Sequence, residues 1–287
     1  SAGVEVRDYA ADSTPLMAEV DSVFQREWYY PQLAATLGWS NTQLPPFAIS
    51  PEDGVTLSTT GRVRWRSGDT ASATVSVVGA ASAFKSLDLP GYAHHVLALR
   101  GAGGWVDQRG TSYLEVGGLS GGILDIVPGY ALGEGRRTFG VRGFPAGALL
   151  GMRAFTANLE YRAPFRIPAR GLGTLPLFLG RTSITLFGDA GSAWCPDVFP
   201  GRGAPNSSLC TQADVDIGRA PGSAGPPLLF LDPTYIASAG AELNADASLL
   251  SWDSPVRWRL GAAVPLVNRD LAGRERWSAY LTVGVSF

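Results

Sequence analysis

Apolar and polar residues alternate along most of the chain. From Trp277 to Phe287 every second residue is apolar, and the residues between them are serine, tyrosine, threonine or glycine. The same alternation runs from Tyr235 to Leu249, where apolar residues take turns with a mostly polar set. A period of two is typical of β-strands that present one apolar face and one polar face. The pattern therefore predicts an all-β protein.

Ten strands are predicted from this alternation, and most of them are longer than the 5 or 6 residues usual in globular proteins. We place them at 27–39, 54–66, 70–84, 92–106, 112–119, 150–165, 174–190, 233–250, 254–267 and 275–287. About 10 tilted residues are enough to cross the hydrocarbon layer of a membrane. Because the apolar faces consist mainly of alanine, valine, leucine and aromatic residues, we expect them to face lipid and the charged faces to point inward. A soluble barrel with its apolar faces inward is the alternative.

The connections between the predicted strands alternate between short and long. The short ones are 67–69, 107–111, 166–173 and 251–253, and the longer ones are 40–53, 85–91, 120–149, 191–232 and 268–274. Short periplasmic turns and long external loops are typical of outer-membrane β-barrels, and on this parity the C-terminus falls in the periplasm. We therefore predict a transmembrane antiparallel β-barrel of about ten to twelve strands over residues 27–287, with a large external loop over 191–232. Residues 1–26 are predicted to be an N-terminal segment that forms either an extra strand or a linker.

Composition narrows the class of protein further. Only 17% of the 287 residues are charged and 36 are glycine, whereas average chains have about 25% charged residues and about 7% glycine. The apolar content is sufficient for burial, which excludes disorder, and the lack of any window of about 18 uninterrupted apolar residues excludes a bundle of membrane helices. A net charge of −2 without a basic cluster argues against nucleic-acid binding. The chain begins without Met or an apolar leader, and we interpret it as a mature or trimmed product.

The two cysteines, Cys195 and Cys210, lie 15 residues apart in a stretch rich in glycine, proline and serine. This spacing fits no metal site, and we predict a disulfide that closes an exposed loop if the compartment is oxidising. Two free thiols are the alternative. The sequence contains no phosphate-binding loop, cofactor fingerprint or zinc spacing, so we expect neither a cofactor nor a metal.

Two short motifs combine charged, aromatic and glycine residues. The loop motif consists of Val141, Arg142, Gly143 and Phe144, and the strand motif consists of Phe187, Asp189 and Gly191. A loop that folds into a wet interior gains little from hydrophobic burial and needs a polar anchor. The planar guanidinium of Arg142 suits a carboxylate, Gly143 allows close approach of the backbone, and Asp189 falls on the inward face of its predicted strand. The alternative is that both charges are merely solvated.

These motifs, together with the segment Asn158–Pro164, resemble those of the BamA/TamA-type superfamily of outer-membrane barrels, which includes bacterial surface antigens and two-partner-secretion transporters. The resemblance covers about residues 54–287 and is most specific over 138–191. It implies that loop 120–149 folds into the lumen of the barrel. It also implies that Arg142 contacts Asp189 there. Glu160 and Arg162 are expected among the polar residues of the same lumen.

The resemblance is partial. Family barrels have sixteen strands, most of them before the loop motif, whereas this chain offers about five before it. The chain is therefore expected to be either a fragment without its N-terminal strands or a shortened relative. Its end matches the aromatic signal by which such barrels are recognised during assembly, although Thr282 stands where glycine is common. The matching residues are Tyr280, Val283, Val285 and Phe287.

The resemblance implies a function in the insertion or translocation of polypeptides at the outer membrane of a Gram-negative-type bacterium. Expected partners are outer-membrane lipid, unfolded polypeptide clients and periplasmic modules that are not in this chain. A passive pore or surface antigen without translocase activity is the alternative.

A more distant alternative is a barrel-embedded hydrolase that uses Ser120, in a Gly-x-Ser-x-Gly sequence, with His94 or His95. That motif needs a strand, a sharp turn and then a helix, whereas a glycine-rich loop follows here. The two histidines are adjacent, so on a strand they point to opposite faces and at most one of them serves such a site. We therefore expect no enzymatic activity.

Overall fold

The computed structural model describes residues 2–7, 28–66, 69–107, 114–118, 137–171, 177–195, 228–229, 233–249, 256–273 and 276–285. This part of the chain is all β, with fifteen strands and one short 3-10 helix, Arg269–Ala272. The strands are β1 (Ala2–Arg7), β2 (Trp28–Ser40), β3 (Gly54–Arg66), β4 (Asp69–Leu87), β5 (His95–Val106), β6 (Leu114–Val116), β7 (Arg137–Phe139), β8 (Leu149–Gly151), β9 (Arg153–Arg166), β10 (Arg170–Gly171), β11 (Leu177–Trp194), β12 (Leu228–Leu229), β13 (Thr234–Leu249), β14 (Val256–Val267) and β15 (Ser278–Val285). Within these residues no helix has the length and apolar character needed to cross a membrane.

Ten of these strands form one antiparallel sheet, in the order β1-β2-β3-β4-β5-β9-β11-β13-β14-β15. The two-residue strand β10 adds to β11. Nine of the ten lie where the alternation predicts strands, and β1 is the extra strand considered for residues 1–26. The prediction of an all-β chain with long antiparallel strands is thus confirmed. Among the described residues β1 and β15 do not pair with each other, so closure of the sheet into a barrel stays a prediction.

The two faces of this sheet differ in the way the sequence predicts. Leu159, Leu186 and Leu243 lie centrally in their strands and are 51%, 52% and 43% exposed. Glu160 and Glu242, which are sequence neighbours of two of these leucines, point to the opposite face and are each 6% exposed. A soluble sheet protein places leucines inside and charges outside. This sheet is inverted, with an exposed apolar face and a buried polar face.

A second, four-stranded sheet contradicts one of the predicted strands. Its order is β12-β8-β6-β7. The alternation predicts a strand of the main sheet at 112–119. In the structure only Leu114–Val116 is a strand, and it belongs to the second sheet. In the main sheet β5 therefore pairs directly with β9. Leu114 and Val116 alternate with a polar residue because both are buried in a small apolar core, and not because they face outward from the main sheet.

The predicted strict alternation of short and long connections is therefore wrong at β5, which has a longer connection both before it and after it. Because 112–119 adds no strand to the main sheet, the connections from β5 to β9 and from β11 to β13 start at the same end as the connection between β3 and β4. The other end carries the connections β2–β3, β4–β5, β9–β11 and β13–β14 and the C-terminal end of β15. Strand β11 also continues to Trp194, beyond its predicted end at 190, because its register with β9 is maintained that far.

The small apolar core lies at the end of the main sheet where β5 ends and β9 begins. Its buried members are Val106, Leu114, Val116, Phe139, Val141, Phe144, Ala148, Leu149, Ala154, Ala193 and Ile236. They come from the second sheet, from the loop motif and from the ends of β5, β9, β11 and β13. Full burial of a large apolar side chain contributes about 1.5–3 kcal/mol, so this core holds the second sheet and the loop motif against the main sheet.

Candidate functional site

The loop motif lies between β7 and β8 and is fixed by both sheets. Val141 is fully buried and forms a β-bridge with Gly118. Phe144 is buried as well, and its carbonyl accepts a hydrogen bond from the Gly118 amide at 2.9 Å. Gly143 has a φ of 90°, and a Cβ at this position would lie 3.1 Å from a side chain of β14. The turn therefore needs glycine, and it directs Arg142 onto the polar face of the main sheet.

The Arg142 guanidinium is held by three carboxylates from three neighbouring strands. Its Nε and Nη2 donate to Oδ2 and Oδ1 of Asp189, both at 2.7 Å, and the Arg142 amide donates to Oδ2 at 3.0 Å. Nη1 donates to Glu242 at 2.9 Å, and Nη2 lies 3.0 Å from Oε1 of Glu160. The guanidinium also lies over the Phe187 ring, 3.5 Å from its centroid. Paired hydrogen bonds between a guanidinium and a carboxylate are both strong and specific in orientation.

Each of these three carboxylates has a second donor. The donors are Asn158 Nδ2 for Asp189, at 3.0 Å, Arg162 Nε for Glu160, at 2.9 Å, and the Tyr280 hydroxyl for Glu242, at 2.5 Å. Arg142 is therefore the centre of a network that joins β9, β11, β13 and β15, and not one half of an isolated ion pair. The structure brings together Arg142, Asp189, Glu160 and Arg162 from the predicted set.

Arg142 keeps its charge in these surroundings. Burial alone would lower the pKa of Arg142, but the hydrogen bonds and charge of Asp189, and then the charges of Glu160 and Glu242, outweigh burial and raise the pKa. Removal of one partner from a buried ion pair leaves an uncompensated charge and typically costs about 3–5 kcal/mol. The anchor thus holds the loop motif in one position on the polar face.

Two glycines on the main sheet make room for this arrangement. A Cβ at Gly191, the last residue of the strand motif, would lie 2.7 Å from a Val116 methyl group and 2.8 Å from a Val141 methyl group. A Cβ at Gly240 would lie 2.5 Å from Cζ of Phe187. Gly191 therefore lets the second sheet dock on β11, and Gly240 lets the aromatic ring lie beneath the guanidinium. The motif points to Gly191, whereas no sequence signal distinguishes Gly240 from other strand glycines.

The C-terminal residues that match the assembly signal take different positions. Tyr280 points to the polar face, where its hydroxyl donates to a carboxylate of the Arg142 network. It lies across from Gly261, where any Cβ would collide with the tyrosine ring. The backbone of Val283 and Val285 lies in β15, and Phe287 lies outside the described residues. The role of these residues in assembly stays a prediction.

A second segment also folds onto the polar face, and the sequence pattern did not predict it. Residues 41–53, which join β2 to β3, bury Ala48 and Ile49. Arg181 Nη1 donates to the Ala48 carbonyl at 2.8 Å, and Arg257 Nη2 donates to the Ile49 carbonyl at 3.1 Å. The one available signal was a short apolar run flanked by prolines inside a connection that is otherwise polar.

Ion pairs fasten this segment to the end of β4 and to the connection between β4 and β5. His94 Nδ1 lies 2.8 Å from the buried Glu52 carboxylate. The hydrogen bond to Glu52 and then its charge raise the pKa of His94 above its ordinary value. Lys85 Nζ lies 2.9 Å from Asp53, and the pKa of Asp53 is lowered by the hydrogen bond from Ser86 and then by that from Lys85. These contacts favour the inserted position of the segment when both groups of each pair are charged.

The residues considered for a hydrolase do not form a site in the described part of the chain. His94 is taken up by its ion pair, and Nδ1 of His95 lies 2.7 Å from the Tyr161 hydroxyl. Ser120 lies outside the described residues. The hydrolase alternative therefore gains no support from the residues that are described.

Of the two cysteines predicted to form a disulfide, one lies within the described residues. Cys195 is fully buried and disulfide-bonded, whereas Cys210 lies outside the described residues. Among the residues that can be described, no group of three or more histidine, cysteine, aspartate or glutamate side chains is placed to hold a metal ion.

Neither a comparison with models of protein families nor a search among curated proteins found a match for this chain.

Proposed function

We propose that this chain forms a β-barrel in the outer membrane of a Gram-negative-type bacterium and takes part in the insertion or translocation of polypeptides. The inverted sheet carries the membrane part of the proposal. Leu186 and Leu260 are 52% and 56% exposed, while Asp189 and Glu242 are 3% and 6% exposed. Exposure of apolar surface to water costs about 25 cal/mol per Å², and contact with lipid removes that cost. An apolar outer face with a polar interior is the pattern of transmembrane barrels.

A contact between distant strands supports closure of the sheet. The segment 41–53 joins the second and third strands of the sheet, and its Ile49 carbonyl accepts a hydrogen bond from Arg257 on β14, the ninth strand. In a flat sheet the third and ninth strands would be roughly 30 Å apart, because neighbouring strands are about 4.7–4.9 Å apart. The sheet therefore curls toward its polar face. We propose that it closes around this face, which becomes the lumen.

The connections suggest an orientation for this barrel. The longest ones, from β5 to β9 and from β11 to β13, share one end, and the end of β15 lies at the other. In outer-membrane barrels the longer connections are extracellular. In the proposed orientation the C-terminus is therefore periplasmic, and the segment 41–53 enters the lumen from the periplasmic side.

The anchored loop supports the second part of the proposal, a function in polypeptide insertion or translocation. The two motifs resemble those of BamA/TamA-type barrels, and in this chain the loop arginine contacts the strand aspartate at 2.7 Å. Buried ion-pair networks add little net stability over apolar packing, but removal of one partner is costly. Such a network suits a loop that occupies one defined position until a client displaces it. Polypeptide clients and periplasmic modules are the partners in this proposal.

The membrane part is tested by reconstitution. The full chain is folded into vesicles of phosphatidylcholine and phosphatidylglycerol, washed with alkaline carbonate and floated in a density gradient. We expect the chain to float with the vesicles and to keep its β-sheet circular dichroism. Recovery of folded chain in the soluble fraction, without lipid or detergent, contradicts the membrane assignment.

The functional part is tested with the same vesicles. A small outer-membrane barrel protein, unfolded in urea, is added to vesicles that contain the chain and to vesicles that contain an unrelated barrel of similar size. Faster folding of the client in the first set, measured by its mobility in unheated gels, is the expected result. Equal rates refute a role in insertion. Steady ion conductance in planar bilayers would then favour a passive pore, whereas the two inserted segments predict low conductance.

A further inference from the structure

A partly open cavity lies on the polar face between the segment 41–53 and the Arg142 network. The cavity measures about 170 Å³, and a second cavity of about 30 Å³ lies beside it. The polar lining of the larger one includes Arg100, Arg162, Arg257, Arg259, Ser183 and Thr185. Since one water molecule needs about 10–15 Å³ on a comparable measure, the larger cavity has room for a small ion together with several waters.

Positive charge exceeds negative charge around this space. Five arginines and four carboxylates line the two cavities or form ion pairs with the residues that line them, and a sixth arginine, Arg181, pairs with one of these carboxylates, Asp246. The arginines are Arg100, Arg142, Arg162, Arg181, Arg257 and Arg259. The carboxylates are Glu160, Asp189, Glu242 and Asp246. Every one of these carboxylates already accepts from an arginine and from one further donor.

Two of the arginines account for the excess. The side chain of Arg259 makes no hydrogen bond and no ion pair with any other residue that the structure describes, although it is half-buried. Nη1 of Arg100 approaches Glu160 only to 4.0 Å, which is the limit of an ion pair. An incompletely compensated charge at a partly buried site costs free energy, and a bound counter-ion reduces that cost.

We propose that this cavity binds a small, doubly charged oxyanion, such as inorganic phosphate. Arg259 and Arg100 present guanidinium N–H groups that no carboxylate occupies fully, and the fork of a guanidinium matches two oxygens of a tetrahedral anion. Thr185 adds a donor, because its oxygen already accepts the Asn244 amide at 2.9 Å and its hydroxyl proton remains free to be donated. The site goes beyond the proposed function and does not depend on it, since it consists of a cavity and its charges alone.

Isothermal titration of the folded full chain with sodium phosphate tests the proposal, at neutral pH and at an ionic strength held constant with sodium chloride. One phosphate per chain is expected to bind. Arg259→Gln and Arg100→Gln should each weaken phosphate binding about tenfold or more, because each removes a charge-assisted hydrogen bond. Arg269→Gln removes an equal charge from the exposed 3-10 helix and should leave binding unchanged.

Arg259→Lys separates the geometry of the site from its charge. Lysine keeps the positive charge but lacks the planar fork, so its affinity for phosphate should lie between those of wild type and Arg259→Gln. Circular dichroism confirms before each titration that a variant is folded, and the lysine variant serves if the glutamine variant does not fold. Absence of phosphate binding by the wild-type chain overturns the proposal. An equal loss of binding in Arg269→Gln and in the cavity variants also overturns it, because binding would then reflect net charge.

Discussion

Replacement of Arg142 by methionine is expected to release the loop motif from the polar face. Methionine keeps an unbranched apolar stem but removes three side-chain hydrogen bonds and the contact with Glu160. Loss of one partner from a buried ion pair costs about 3–5 kcal/mol. Because Glu160 and Glu242 each keep a second donor, we expect a decrease in the free energy of unfolding of about 3 kcal/mol, at the lower end of that range.

Urea unfolding in detergent, followed by circular dichroism, measures this decrease, and limited proteolysis measures exposure of the loop. Arg269→Met, on the exposed 3-10 helix, is the matched control and should change the free energy by less than about 0.5 kcal/mol. Asp189→Asn added to Arg142→Met removes one of the uncompensated charges and should restore part of the lost stability. The anchor hypothesis is refuted if Arg142→Met unfolds within about 0.5 kcal/mol of wild type and its loop remains protected.

Three further substitutions test the packing, the exposed apolar face and the inserted segment. Gly191→Ala should destabilise the chain by about 1–3 kcal/mol in urea unfolding, because its Cβ would lie 2.7 Å from a valine methyl group. Gly188→Ala on the same strand is the control and should not destabilise the chain, because no atom lies within 4 Å of its Cβ. Leu186→Arg should cost about 2–4 kcal/mol in vesicles if its face contacts lipid, and a cost below about 0.5 kcal/mol would indicate that this face contacts water. His94→Gln should flatten the dependence of the urea midpoint on pH. The reason is that Glu52 raises the pKa of His94. The histidine therefore stabilises the fold fully below pH 6.5, and this stabilisation is lost as the pH rises through the raised pKa. A wild-type midpoint that does not fall relative to His94→Gln above pH 6.5 contradicts this assignment.

Alternation predicts the long strands well because each of them carries an apolar face and a polar face over most of its length. The bounds of β3, β9 and β13 lie within a few residues of the predicted ones. The same signal cannot say which strands are neighbours. Leu114 and Val116 alternate as regularly as a membrane strand, but they are buried in the apolar core of the second sheet. A period of two reports only that alternate residues share an environment.

The candidate site was predictable where it lies in local motifs. Arg142 and Asp189 each stand in a short motif, whereas the part played by Glu242 depends on the register between β11 and β13, which no single segment encodes. The position of the segment 41–53 on the polar face was not predicted for the same reason, since the contact between Ile49 and Arg257 joins residues 208 positions apart.

The sequence separations inside the polar face also set an order of assembly. Most neighbouring strands of the main sheet follow one another along the chain, so they can pair soon after both exist. The contact of Arg142 with Glu242 spans 100 residues, and that of Arg257 with Ile49 spans 208. Contacts of such separation form late, because the entropy of closing a long loop has to be lost first. The polar face therefore stays hydrated until β13 and β14 are in place, because a chain that stops before them lacks both Glu242 and Arg257.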